Sequence, residues 1–269
     1  MGVISLTTWF GLAALLYGAI YYVVSRQIFR PMRYPAGPWH TQAELGAEDV
    51  WIETADGVRL HAWLVKAEAP ANGLITLYFK GNGTNLSNRP GHLREIAAAG
   101  CPVLIVDYRG YGKSQGRPTE RGIYRDADAA YDHLIGMGYA PAQIVLLGES
   151  LGAAVAVDLA RRRPCAGVIL ECAFTSFSAM AGTFVPWVGP LVASGFNSLA
   201  KIRDVHVPLL VIHGDHDTFA PYAMGRALFD AANQPKSFWT VEGAGHIDIL
   251  QVAGPLYRAR LQVFYAGLI

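Results

Sequence analysis

Five short apolar runs, at residues 74–79, 102–106, 144–147, 168–170 and 209–212, recur down the chain with helix-patterned stretches between them. Runs so short and so continuously apolar read as strands buried on both faces, the signature of a parallel sheet. The intervening stretches carry apolar side chains at helical spacing. Leu93, Ile96 and Ala97 line one face of 92–99, which Gly100 stops. Ile123, Ala127, Ala130, Tyr131 and Leu134 do the same over 122–135, and two further helices are predicted at 151–162 and 252–265. Residues 237–241 supply a last strand. Ahead of this rhythm, 50–53 and 58–65 flank Thr54-Ala55-Asp56-Gly57, a hairpin signal. Strands alternating with helices imply an α/β domain with a mostly parallel central sheet and helices on both faces. A chain of 269 residues can build one such domain, and no internal repeat divides it.

Apolar residues make up 52% of the chain and charged residues 16%, and part of that excess has one location. From Met1 through Ser25 there is no charged side chain. As a helix, 3–24 would reach about 33 Å, enough to cross a hydrocarbon core of about 30 Å. Trp9 lies toward one end and Tyr21 and Tyr22 toward the other, where an aromatic belt would sit. A cleaved signal would carry a basic n-region and an A-x-A-like site, and neither is present. The segment also lacks the polar face of a surface-lying helix. The sequence therefore predicts a transmembrane anchor at 1–25, a connector at 26–48 broken by Pro31, Pro35, Gly37 and Pro38, and the α/β domain at 49–269. Arg26, Arg30 and Arg33 follow the span and no Lys or Arg precedes it, which puts the domain on the cytoplasmic side of a single-pass membrane protein. Three cysteines, Cys101, Cys165 and Cys172, without paired spacing fit a reducing compartment. A net charge of +1 with no basic patch argues against a nucleic-acid partner. The one dense basic run, 161–163, falls at a helix C-terminus, where cations offset the dipole.

Gly148-Glu149-Ser150-Leu151-Gly152 matches G-x-S-x-G, directly after the strand at 144–147 and at the start of the helix at 151–162. That strand-to-helix setting is what a nucleophile elbow requires. Gly112-Lys113-Ser114-Gln115-Gly116 has the same five-residue form, but it leads into Arg117-Pro118-Thr119 rather than a helix, so Ser114 reads as part of a polar turn. A serine of this kind needs a histidine base and a carboxylate that fixes the imidazole tautomer. Both follow in chain order: His213-Gly214-Asp215-His216-Asp217 beyond the strand at 209–212, and Gly243-Ala244-Gly245-His246 beyond the last strand. On spacing alone either Asp215 or Asp217 could serve. The close packing of His213, Asp215, His216 and Asp217 matches no zinc spacing, so no metal is expected. Lys80-Gly81-Asn82-Gly83 lies just past the strand at 74–79, in the position of an oxyanion loop. The backbone N–H groups of Asn82 and Leu151 are the expected oxyanion donors.

In this order, Lys80–Gly83, Asp107-Tyr108-Arg109-Gly110-Tyr111-Gly112-Lys113-Ser114, Gly148–Gly152, His213–Asp217 and Gly243–His246 resemble the α/β-hydrolase superfamily. More narrowly, the chain is similar to the branch of single-span membrane-anchored serine hydrolases that includes lysophospholipase-like and depalmitoylase-like proteins. The resemblance covers residues 50 to 267. It implies Ser150 as nucleophile, Asp217 as acid and His246 as base, with no cofactor. It also makes Asp107 and Arg109 structural residues. Members of the branch usually carry His where this chain has Lys80.

A short cap is expected at 172–205. Residues 172–203 contain no Asp or Glu but include Phe174, Phe177, Met180, Phe184, Val185, Trp187, Val188, Leu191, Val192 and Phe196. Some of these must simply pack onto the domain, yet so apolar a cap suits an acyl chain better than a charged substrate. The expectation is a carboxylic-ester or thioester hydrolase acting on small-molecule or lipid esters at a membrane. Two alternatives stand beside it. A serine aminopeptidase-like enzyme would need a carboxylate for the substrate amine, which Glu149 or Glu171 could supply. A non-catalytic membrane scaffold would more often have lost one of the three triad residues.

Overall fold

The apolar runs pair side by side because neither of their faces has polar atoms to offer water, and helices then cover both faces. The computed structural model describes residues 29–67, 73–184, 186–187, 191 and 194–269, together with Trp9, Gly11, Leu15, Tyr17 and Gly18. Its strands are β1 Glu48–Glu53, β2 Arg59–Val65, β3 Ile75–Phe79, β4 Val103–Val106, β5 Ile144–Glu149, β6 Gly167–Glu171, β7 Leu209–Gly214 and β8 Lys236–Val241. They form one eight-stranded sheet in the order β1-β2-β4-β3-β5-β6-β7-β8. β2 is antiparallel to both β1 and β4, and every pairing from β4 to β8 is parallel.

The longer helices are α1 Thr41–Leu45, α2 Pro90–Ala98, α3 Glu120–Gly136, α4 Leu151–Ala160, α5 Phe177–Phe184, α6 Ser198–Lys201, α7 Tyr222–Ala231, α8 Ile249–Ala253 and α9 Pro255–Ala266. Alternate residues of each strand feed two separate cores. Leu77, Leu104 and Leu146 pack with Ile123, Ala130 and Val155 of α3 and α4 on one face. Tyr78, Ile105 and Leu147 pack with Leu93 and Ile96 of α2 and Leu261 of α9 on the other. The parallel strands thus carry the loops that follow them to one edge of the sheet, at their C-terminal ends.

Three details differ from the expected elements for local reasons. α3 starts at Glu120, two residues earlier than expected, because the Thr119 side chain accepts the Gly122 N–H at 3.0 Å and caps it there. The expected helix at 252–265 is two helices, since Gly254 turns at φ 52° and Pro255 starts α9 afresh. α1, α5, α6 and α7 lie where the sequence pattern predicts no helix. Among the described residues no helix is long and apolar enough to cross a membrane. The expected span at 3–24 lies largely outside the described residues.

Candidate active site

Ser150 sits between β5 and α4 with φ 53° and ψ −109°, a conformation that an L-residue adopts only under constraint. Its N–H is held by the Glu171 carbonyl at 2.9 Å. The glycine two residues on is required by contact: a Cβ on Gly152 would lie 1.8 Å from the Phe79 carbonyl oxygen. The elbow is therefore pressed against the end of β3, where the loop starting at Lys80 begins. Leu151 opens α4, so its N–H belongs to the first turn, where backbone donors have no acceptor within the helix.

The loops after β7 and β8 meet the elbow. A Cβ on Gly214 would come within 2.2 Å of the Ala244 carbonyl, so only glycine lets the two loops close on each other. His246 Nε2 lies 3.0 Å from Ser150 Oγ, and His246 Nδ1 lies 2.7 Å from Asp217 Oδ2. The Phe219 and Ala220 N–H groups donate to Asp217 Oδ1 at 2.9 and 2.8 Å. His213 Nε2 stands 2.8 Å from the Ala220 carbonyl and 3.3 Å from Asp217 Oδ2. Burial opposes a charge on Asp217, but the hydrogen bonds from His213, His246 and Ala220 outweigh it and hold its carboxyl well below the usual range. A carboxylate facing Nδ1 keeps the proton there, which turns the Nε2 lone pair toward Ser150. Such an array can take the serine proton during attack on a carbonyl carbon.

Asp215 lies apart and accepts the Gly243 N–H at 2.7 Å, steadying the His246 loop. Ser114 is in a polar turn: its hydroxyl donates to the Asp107 carbonyl at 2.7 Å and accepts the His61 N–H at 2.8 Å. Arg109 bonds Asp126 and Asp56, and Asp107 accepts the Leu86 N–H at 3.0 Å, so both brace loops. The basic run 161–163 does more than offset a dipole, for Arg162 reaches Asp158 and Asp128 and Arg163 reaches Asp132. Among the described residues the cluster of potential metal-ligand atoms is Cys172, Asp217 and His246 rather than the 213–217 run. The three cysteines are free and buried.

Asn82 follows β3 in the loop at 80–83. Its Oδ1 accepts the Tyr111 hydroxyl at 2.6 Å, the Gly83 N–H at 3.0 Å and the Arg30 N–H at 3.1 Å. Lys80 is fully buried. Its Nζ donates to the Thr84 carbonyl at 2.8 Å, lies 3.5 Å from Asp107 Oδ1 and sits over the Tyr111 ring at 3.9 Å. Burial lowers the Lys80 pKa to about 8 and raises that of Asp107 to about 6.

Behind the elbow lies a charged network that the sequence reading missed. Arg89 and Tyr78 hydrogen-bond Glu149, while His92 and Tyr257 hydrogen-bond Glu171. Arg89 and Glu149 stand 60 residues apart, and no spacing rule links a helix N-terminus to a strand end at that separation. On the solvent side, Phe219 packs 4.7 Å from His246 and 5.4 Å from Phe184 of α5, ring centroid to centroid. Phe174, Phe177 and Phe196 of the cap are buried, whereas Phe184, Trp187 and Leu191 are exposed.

Residues 86–201 match the family model described as serine aminopeptidase, S33. An uncharacterised protein of Mycobacterium tuberculosis is 38% identical over 237 residues, which is 86% of this chain and 84% of that one. The alpha/beta hydrolase domain-containing protein WAV2 of Arabidopsis thaliana is 33% identical over 246 residues, covering 83% of this chain and 79% of that one. Among solved structures, the Pyrococcus furiosus esterase Pf2001 superposes with a TM-score of 0.74 at 21% identity, over 89% of this chain and 97% of that one. The fold is thus shared with that esterase, and sequence kinship with WAV2 over most of both chains goes further. The chain belongs to the α/β-hydrolase family, and it is a hydrolase in fold and kinship.

Proposed function

We propose that this hydrolase cleaves carboxylic esters or thioesters of acyl chains through a covalent acyl-serine intermediate. The observation that carries the reading is the line Asp217–His246–Ser150, with contacts of 2.7 and 3.0 Å, bordered by the aromatic pair Phe219 and Phe184. Ser150 Oγ attacks the carbonyl carbon while His246 Nε2 takes its proton, and Asp217 stabilises the imidazolium that forms. The N–H groups of Asn82 and Leu151 receive the oxyanion, each contributing about 3 kcal/mol to lowering the barrier. His246 returns the proton to the leaving oxygen or sulfur. Water activated by the same imidazole then frees the acid. No cofactor enters these steps.

A lipid ester or a lipidated protein is the substrate class that the acid-free stretch 172–203 of the cap and the charge-free residues 1–25 favour. In this reading the segment at 1–25 anchors the chain in a membrane with the hydrolase domain on the cytoplasmic side. An aminopeptidase reading is less favoured, because the carboxylates of Glu149 and Glu171 are already taken by Arg89, Tyr78, His92 and Tyr257. The test is hydrolysis of p-nitrophenyl esters of graded chain length by wild type and Ser150→Ala. Activity that disappears with Ser150 and peaks at long chains is expected. A folded protein that ignores every ester but cleaves short peptides would sink the proposal.

A further inference from the structure

The connector at 26–48 would need no fixed contacts if it only tethered the domain. Its described part instead threads between two loops of the site. Gly112 N–H donates to the Met32 carbonyl and Tyr34 N–H donates to the Gly112 carbonyl, both at 2.9 Å, which makes a parallel bridge at Arg33. Asn85 Nδ2, in the loop that continues from Asn82, donates to the Ala36 carbonyl at 2.7 Å. Phe29 packs edge-on against Phe196 of the cap with ring centroids 6.1 Å apart. Most directly, the Arg30 N–H ends on the side chain of Asn82, where the Tyr111 hydroxyl also ends.

From these contacts we infer that the connector, through Arg30 and with Tyr111, positions the oxyanion hole, and so belongs to the catalytic apparatus rather than to the tether. The inference rests on the reading of Ser150 as nucleophile and of the Asn82 N–H as an oxyanion donor. An amide side chain fixed by three donors cannot rotate freely, and its own backbone N–H is fixed with it. Oxyanion donors act only on the tetrahedral state, so losing their alignment should cost turnover and leave substrate binding alone. Arg30 and Tyr111 touch no reacting atom. They are positioning residues.

The test uses the full chain. Tyr111→Phe removes one donor and keeps the ring. Arg30→Pro removes the backbone donor, and Arg30→Ala, the conservative variant that keeps the N–H, should recover its effect. For each, kcat and KM on a p-nitrophenyl ester are compared with the affinity for butylboronic acid, whose tetrahedral serine adduct puts an oxygen in the hole. Tyr111→Phe and Arg30→Pro should each lower kcat about tenfold with KM held within about twofold. Boronate affinity should fall by the same factor as kcat. An active wild type whose kcat and boronate affinity do not move in Tyr111→Phe overturns the inference alone. So does a loss in Arg30→Pro that Arg30→Ala fails to recover, or one that appears only as a lower thermal midpoint. A wild type that neither turns over esters nor binds boronate removes the underlying reading and this inference with it.

Discussion

Arg89 grips Glu149 with two nitrogens, Nε at 2.5 Å from Oε2 and Nη2 at 2.7 Å from Oε1, one residue before the nucleophile. Burial disfavours the Glu149 charge, but the Arg89 and His92 charges and the hydrogen bonds from Arg89 and Tyr78 bring its pKa down to about 2. Because the folded value lies below the ordinary 4.5, the pair stabilises the fold above that pH and loses its contribution as the pH falls toward about 2. Arg89→Met strands the carboxylate in a buried place and should cost about 3–5 kcal/mol. Its acid-unfolding midpoint should also move to higher pH. Urea titrations across the acid range check both, and a variant as acid-resistant as wild type would refute the assignment.

The neighbouring pair has the opposite pH sign. Burial works against a charge on His92, but Glu171, with Nε2 to Oε1 at 3.0 Å, raises its pKa above 6.5. Glu149 adds to that rise and Arg89 opposes it. A raised folded value means stabilisation that is complete below about 6.5 and fades as the pH climbs through the folded pKa. His92→Gln should therefore flatten the fall in stability that sets in above about pH 6.5, measured by denaturant midpoint. An unchanged slope would remove His92 as its source.

Lys80 and Asp107 form a buried pair whose two charges both suffer from burial. Lys80→Met should destabilise by about 3–5 kcal/mol, since Asp107 loses its cation while its Oδ2 already has no partner. Adding Asp107→Asn should return roughly half of that loss, because the acceptor for the Leu86 N–H is kept and the stranded charge is removed. Thermal denaturation of the single and double variants distinguishes this coupling from two independent losses, which would simply add.

Asp217→Asn tests the tautomer argument. The amide can keep the fold but no longer holds the proton on His246 Nδ1, so kcat should fall about 10⁴-fold with little change in KM. Asp215→Asn is the matching control on spacing. If the larger loss followed Asp215 instead, the acid would have been misassigned.

Much of this was legible from residues alone, and the exceptions share a cause. The elbow, His246 and the strands are fixed by local rules: apolar runs, a glycine-flanked serine, a glycine-rich turn after the last strand. Spacing alone does not separate Asp217 from Asp215, which lie in the same loop; the family resemblance points to Asp217, and the structure sets Asp217 2.7 Å from His246 Nδ1 while Asp215 accepts the Gly243 N–H. α7 has buried Gly225 and Leu228 at helical spacing, but apolar residues lie on several of its faces and Pro221 just precedes it, so no single apolar stripe marks it as a helix. The insertion of β4 between β2 and β3 leaves no trace in the sequence, and neither does the Arg89–Glu149 pair. Long-range partners are selected by packing, which local pattern does not encode.

The bridge between Arg33 and Gly112 moves the edge of the folded unit. By strand content the domain begins at Glu48, and a soluble version trimmed there would look complete on paper. It would lack the Met32, Tyr34 and Ala36 backbone that the loops around the serine lean on. The folded unit therefore reaches at least as far as Phe29, which packs on Phe196 well ahead of the first strand, and any cut meant to free the hydrolase from its leading segment belongs before it.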